Sequence, residues 1–181
     1  DEDFMIKLGI ITREKIPTLA GILMFGNTDV IREVLPTFAL EYIDLGDDNT
    51  GERWRDRIVW DGTWGEGNIY NFFTTVINKI YSLVPNRFEL ADDNLTALDN
   101  SDLKIALREA FVNMLIHADY RLDRRLQIKY QNRRFYFTNP GSLRISLEDF
   151  FNGKISEPRN QTIALIFRMI GYAEIAGSGV S

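Results

Sequence analysis

Apolar residues recur at helical spacing in some stretches of the chain and alternate with polar ones in others. After Asn68, residues Ile69, Phe72, Phe73, Val76, Ile77 and Ile80 share one face of a helix that Val84-Pro85 stops. Thr162 to Ile170 predicts another helix, turning Ile163, Ile166, Phe167 and Ile170 toward a core. Two shorter helices are expected, one from Phe4 to Leu8 and one capped by Thr18 and ended by Gly26. Alternation predicts strands at Phe38 to Tyr42, Arg57 to Trp60, Leu126 to Tyr130 and Phe135 to Phe137. Gln131-Asn132-Arg133 is the turn between the last two, and Asn139-Pro140-Gly141 ends the second of them. Phe88 to Asp102 is acidic and has no period, which marks a domain boundary. The expected organisation is a small connecting α/β subdomain at residues 1–86 and a second module at 87–181.

The helix expected around Leu107 to Tyr120 differs from the others because it is apolar almost all the way round. At about 100° per residue, Leu103, Ala106, Leu107, Ala110 and Met114 form one stripe, and Ile105, Val112 and Ile116 cover another side. Glu109, Asn113 and His117 run between them as one polar line at i, i+4, i+8. Lys104 and Arg108 mark the expected solvent side, so the polar line is predicted to face inward or into a cleft. A carboxylate buried there costs several kcal/mol unless a hydrogen bond, metal or ligand compensates it. The line is therefore the first candidate site.

Composition narrows the chemistry. The chain has 181 residues, 45% hydrophobic and 26% charged, ordinary values for a globular protein. Zero cysteines remove disulfides, thiolate zinc sites and cysteine nucleophiles, and one histidine removes a histidine-rich metal site. Net charge is −5, which gives no global attraction to nucleic acid or to an anionic membrane. No signal peptide and no apolar run of membrane-spanning length occurs, so the expectation is a cytoplasmic protein without a membrane partner. The start at Asp1 and the glycine turn Gly177-Ser178-Gly179 near the end suggest an internal fragment of a longer protein.

Three stretches, "ALREAFVNMLIHADYR", "FTNPGSL" and "RNQTIALIFRMIGYAEIAGSGV", together carry a family resemblance. Their order resembles the GHKL ATP-binding fold of type II topoisomerases, heat-shock chaperones, histidine kinases and mismatch-repair ATPases. More narrowly, the chain resembles the GHKL-like module of bacterial transcriptional regulators that are often labelled RecG-like helicases. "TLAGILMFGN" resembles the segment that joins such a module to a preceding Schlafen-AlbA-type DNA-binding domain. The resemblance implies a GHKL-like (Bergerat-like) α/β sandwich after the connecting subdomain, with ATP and magnesium as cofactors. It also implies contact with DNA through domains outside these residues, and leaves a homodimer open.

The resemblance assigns roles to particular residues. Glu109 matches the carboxylate that orients or deprotonates the attacking water. Asn113 matches the asparagine that completes the magnesium shell with the phosphates; a hard hexacoordinate cation accepts one amide oxygen and keeps several waters. Asn139 stands where the family has an aspartate accepting from the adenine amino group, and Gly141 is the glycine of that turn. An amide carbonyl can still accept, without the charge-assisted bond. A plain strand-ending turn explains Asn139 and Gly141 somewhat more directly, since both residues tolerate unusual φ. Gly177, Ser178 and Gly179 match a phosphate-approaching glycine box, and a helix-ending turn is the alternative. His117 reads as a structural cap at its helix C-terminus.

Weaker patterns change little. Arg121, Arg124, Arg125, Lys129, Arg133 and Arg134 make one basic run, read as the solvated face of a hairpin because Gln127, Lys129 and Tyr136 lie opposite the apolar positions. Gly62, Gly65 and Gly67 lack dinucleotide-loop spacing. No G-x-x-x-x-G-K-[ST] occurs, so these residues hold no P-loop helicase motor. Two functions lead from the sequence: a nucleotide-dependent switch, weakly ATPase-like, and a degenerate scaffold for dimerisation. A third, DNA binding by these residues themselves, rests only on the basic hairpin and is opposed by the net charge of −5.

Overall fold

A computed structural model describes residues 1–46, 53–84, 101–144, 146, 148 and 157–172. Helices α1 (Glu2–Lys7), α2 (Leu19–Phe25) and α3 (Thr28–Val34) come first, then strands β1 (Leu40–Asp44) and β2 (Asp56–Val59). Helices α4 (Ile69–Leu83) and α5 (Ser101–His117) follow. Strands β3 (Leu126–Gln131) and β4 (Arg134–Thr138) and a last helix, α6 (Gln161–Met169), complete the order. The fold is mixed α/β.

Local chemistry sets the helix starts. Thr18 caps α2 by accepting from the Gly21 N–H at 3.1 Å, and Asn68 caps α4 by accepting from Asn71 N–H at 2.9 Å. Helix α3 has no such signal, and the sequence pattern misses it. Its Asn27 cap makes no side-chain bond. Instead Glu66 accepts from the Thr28 N–H at 2.7 Å and from its hydroxyl at 3.0 Å. A cap supplied from so far along the chain is invisible to a local reading.

The sheet runs β2-β1-β3-β4, with β1 parallel to β3 and both outer pairs antiparallel. Strands from both sides of residue 87 thus share one sheet. The β3–β4 turn holds Asn132 and Arg133 at φ 50° and 60°, the left-handed pair that matches hairpin twist. Register places Ile58, Tyr42, Ile128 and Phe137 in one row facing the helices. Glu41, Gln127, Lys129 and Tyr136 face the other way, as the sequence alternation predicts.

The core lies between the inner sheet face and the helices. The α4 stripe Ile69, Phe72, Phe73, Val76, Ile77 and Ile80 is buried as expected. Phe73 sits at the centre, 5.0 Å from both the Phe111 and Phe167 rings, and so joins α4, α5 and α6. Such aromatic pairs each contribute about 0.5–1.5 kcal/mol beyond area burial. Among the described residues, no helix is long and apolar enough to cross a membrane.

Candidate functional site

Helix α5 carries the candidate line, and its orientation corrects the sequence expectation. Glu109 and Asn113 are exposed and His117 is half-buried, whereas Lys104 and Arg108 are both half-buried. Leu107, Phe111, Val112, Met114, Leu115, Ile116 and Ala118 turn into the core. Leu103 and Ile105, assigned by pattern to apolar stripes, are 47% and 40% exposed. Lys104 lies on the side of α4, its ammonium 5.9 Å from the Tyr81 ring. The Arg108 Nε is buried without a hydrogen-bond partner. In a helix apolar on nearly every side, two basic residues could not decide which arc meets solvent; tertiary contacts with α4, α6 and β4 did. The burial cost invoked for Glu109 consequently does not arise.

The line leads into a set of tightly held loops. The Asp119 N–H donates to the Pro140 carbonyl at 2.8 Å, so the Asn139-Pro140-Gly141 turn lies at the C-terminal end of α5. Arg159 pairs with the Asp119 carboxylate at 3.5 Å and donates to the Ser142 carbonyl at 3.0 Å. Gly141 has φ +121°, and a Cβ there would stand 3.3 Å from the Asp119 Cβ and 3.4 Å from Arg159 Nη2. Both conformation and close approach demand glycine. Asn139 is half-buried beside it.

The helix end is closed by Asn160 rather than by His117. The Asn160 side-chain amide donates to the Ile116 and Ala118 carbonyls at 3.1 and 2.8 Å. The Tyr120 hydroxyl takes the Leu115 carbonyl at 2.8 Å. Burial pushes the Tyr120 phenol well above its ordinary range. His117 is held below its ordinary value first by burial and then by the nearby charges of Arg159 and Arg144. It is therefore neutral at neutral pH, and two guanidiniums flank that end of the line.

Arg159 and Asn160 fall within a quoted family-like stretch, yet no spacing rule singled them out. They act through contacts with the end of α5, many positions earlier. A cavity of about 400 Å³ is lined by Asp119 together with, among others, Leu19, Leu23, Arg121, Arg159 and Gln161. Glu109, Asn113, Asn139 and Gly141 are not among its lining residues. Gly177, Ser178 and Gly179 lie outside the described residues. Among the described residues no group of three or more His, Asp or Glu could hold a metal by itself.

Residues 123–181 match the family described as "Putative ATP-dependent DNA helicase recG C-terminal". Residues 1–41 match a domain of unknown function, DUF8451. Helix α5 lies between the two matched segments. No curated protein matches. A crystal structure of the DIP2311 protein from Corynebacterium diphtheriae superposes over 96% of this chain, with a TM-score of 0.67 and 17% identity. That likeness is one of fold, and the chain spans 33% of that protein's length. Residues 123–181 are thus similar to a RecG-like C-terminal, ATPase-like module, in a chain of mixed α/β fold.

Proposed function

We propose that the exposed line of α5 and the 139–141 turn form a nucleotide site that takes Mg·ATP. The observation that carries this reading is the state of Glu109 and Asn113. Both are exposed on one face of α5, and neither hydrogen-bonds another side chain among the described residues. A scaffold that had abandoned nucleotide would tie these groups to protein partners. The open line instead leaves a carboxylate and an amide oxygen, one helical turn apart, available to a ligand.

The donor set fits magnesium delivered with a triphosphate and does not fit a free-standing metal site. One amide oxygen from Asn113 needs phosphate and water oxygens to complete an octahedron. When bound, the ion offsets the negative charge of the phosphates. Glu109 would act as the base of a weak ATPase step: its carboxylate would take a proton from the water as the water oxygen bonds the γ-phosphorus and the β–γ bridging P–O bond breaks to release ADP. In this reading the Asn139 carbonyl would accept from the adenine amino group, with Gly141 shaping the turn that holds it. Gly177, Ser178 and Gly179, outside the described residues, enter this reading only through their match to the family's glycine box. The wider role is a nucleotide-dependent switch in a bacterial, cytoplasmic transcriptional regulator, with DNA bound by domains outside these residues and a homodimer as one assembly.

The test is calorimetric titration of a non-hydrolysable ATP analogue with Mg²⁺, comparing the wild type with Asn113→Ala. Saturable binding that the substitution weakens tenfold or more (about 1.4 kcal/mol) supports the site. Absence of heat in a protein that unfolds cooperatively would leave the scaffold reading.

A further inference from the structure

We propose that the outward face of the sheet binds single-stranded nucleic acid, at a place separate from the α5 line. The chain as a whole is acidic, at −5, yet among the described residues the outward strand positions of this face are not. Strand register turns Arg57, Lys129 and Arg134 outward, and Glu41 is the one acidic residue at the outward strand positions. Arg125, just before β3, reaches the same face through its contact with Glu41 at 3.3 Å.

Glu41 organises the cations without cancelling them. Its carboxylate is buried, 3% exposed, and accepts from Arg57 Nε at 2.8 Å and Gln127 Nε2 at 2.7 Å as well as from Arg125. One negative charge thus fixes two guanidiniums, and the face keeps its positive excess. Guanidiniums held in this way need little further ordering to meet phosphate oxygens.

Aromatic rings stand among these charges. Tyr136 is 42% exposed, with the Lys129 ammonium 4.7 Å from its ring centre. Trp54, half-buried, lies beneath the Arg57 guanidinium at 5.1 Å. A nucleotide likewise presents an anion beside a flat aromatic base. Duplex DNA would use only the cations, because its bases are stacked away; an unpaired strand can place a base on Tyr136 as well. The pairing of cation with a partly exposed ring therefore favours the single strand.

Fluorescence anisotropy with labelled dT20, rU20 and a 20-base-pair duplex, from 50 to 300 mM salt, tests this on the full 181-residue chain. Saturable single-strand binding is expected. Lys129→Gln with Arg134→Gln should weaken it at least tenfold and reduce the log–log salt slope by about 1.4, as expected for two lost phosphate contacts. Tyr136→Leu should weaken it with the slope unchanged. Arg121→Gln with Arg168→Gln, which removes exposed cations outside this face, should leave affinity within twofold and so controls for charge alone. The ratio of rU20 to dT20 affinity assigns RNA or DNA, and either assignment supports the proposal. It is overturned by no saturable binding in 50 mM salt, by equal losses in the two double variants, by tighter binding of duplex with no effect of Tyr136→Leu, or by equal binding of polyglutamate. Cooperative thermal unfolding of each variant separates these outcomes from misfolding.

Discussion

Asn160 ties two helices together through Ala118: its side-chain amide donates to the Ala118 carbonyl at 2.8 Å, beyond the last turn of α5. The same residue stands at the start of α6, and its backbone N–H donates to the Ile116 carbonyl at 2.9 Å. Removing the amide takes the donor from the Ala118 carbonyl, while Ile116 keeps the backbone N–H; leaving such a group unpaired costs about 1–3 kcal/mol. Asn160→Ala should therefore lower stability by that amount in urea unfolding. Asn160→Asp should cost more, because it aims carboxylate oxygens at carbonyl oxygens where a donor is needed. Equal stability of wild type and Asp variant would show that the tie contributes nothing.

That tie also marks the limit of what was legible in advance. The α4 stripe, the Thr18 and Asn68 caps and the β3–β4 alternation are local patterns, and the structure reproduces them. Helix α3 was missed because its start is fixed by Glu66, distant in sequence. The facing of α5 was misread because apolar residues surround it and the deciding contacts are tertiary. Within the candidate site, the adjacency of Glu109, Asn113 and His117 followed from helical period alone. The parts contributed by Arg159 and Asn160 needed the fold, since each acts on a loop or helix end remote in the chain.

The carboxylate of Glu41 makes stability depend on acid. Burial alone would raise its pKa, but hydrogen bonds from Gln127 and Arg57, the Arg57 charge and a bond from Arg125 together hold it below its ordinary 4.5. A folded value below the unfolded one means that the unfolded chain takes up the proton first. The contribution is therefore full above about pH 4.5 and is lost as pH falls through the folded value. Glu41→Gln should cost about 1.5–3 kcal/mol at pH 7, the range for hydrogen bonds to a charged group. The gap between variant and wild type should shrink below pH 4.5. Urea midpoints measured from pH 7 to pH 3 decide this, and a constant gap would show that the carboxylate's charge is not involved.

Binding and turnover at the proposed nucleotide site should separate between neighbouring residues. Glu109→Gln keeps size and hydrogen bonding but cannot take a proton from water, so analogue affinity should stay within threefold. Any hydrolysis should fall by about 10²–10⁴, the usual contribution of a positioned general base. Asn113→Ala should instead fail at the binding step. Parallel calorimetry and phosphate-release assays on the two variants make the comparison. A Glu109→Gln protein that hydrolyses ATP at the wild-type rate would remove Glu109 from the reaction.

His117 offers a direct reporter of charge at the end of the α5 line, because it is the chain's one histidine. Burial, with Arg159 and Arg144 nearby, depresses its pKa below 6.5 in the folded protein. Its stability contribution is thus present above pH 6.5 and is lost as pH falls through the folded value. In the free protein, the imidazole resonances followed by NMR should titrate with a midpoint below 6.5. An anionic nucleotide bound beside that end favours the imidazolium and should raise the midpoint. His117→Gln should flatten the fall in stability just below pH 6.5. A free-protein midpoint at or above 6.5 would refute the environment described for the ring. A midpoint unmoved by saturating Mg²⁺ and ATP analogue would place the phosphates away from His117, even with binding established by calorimetry.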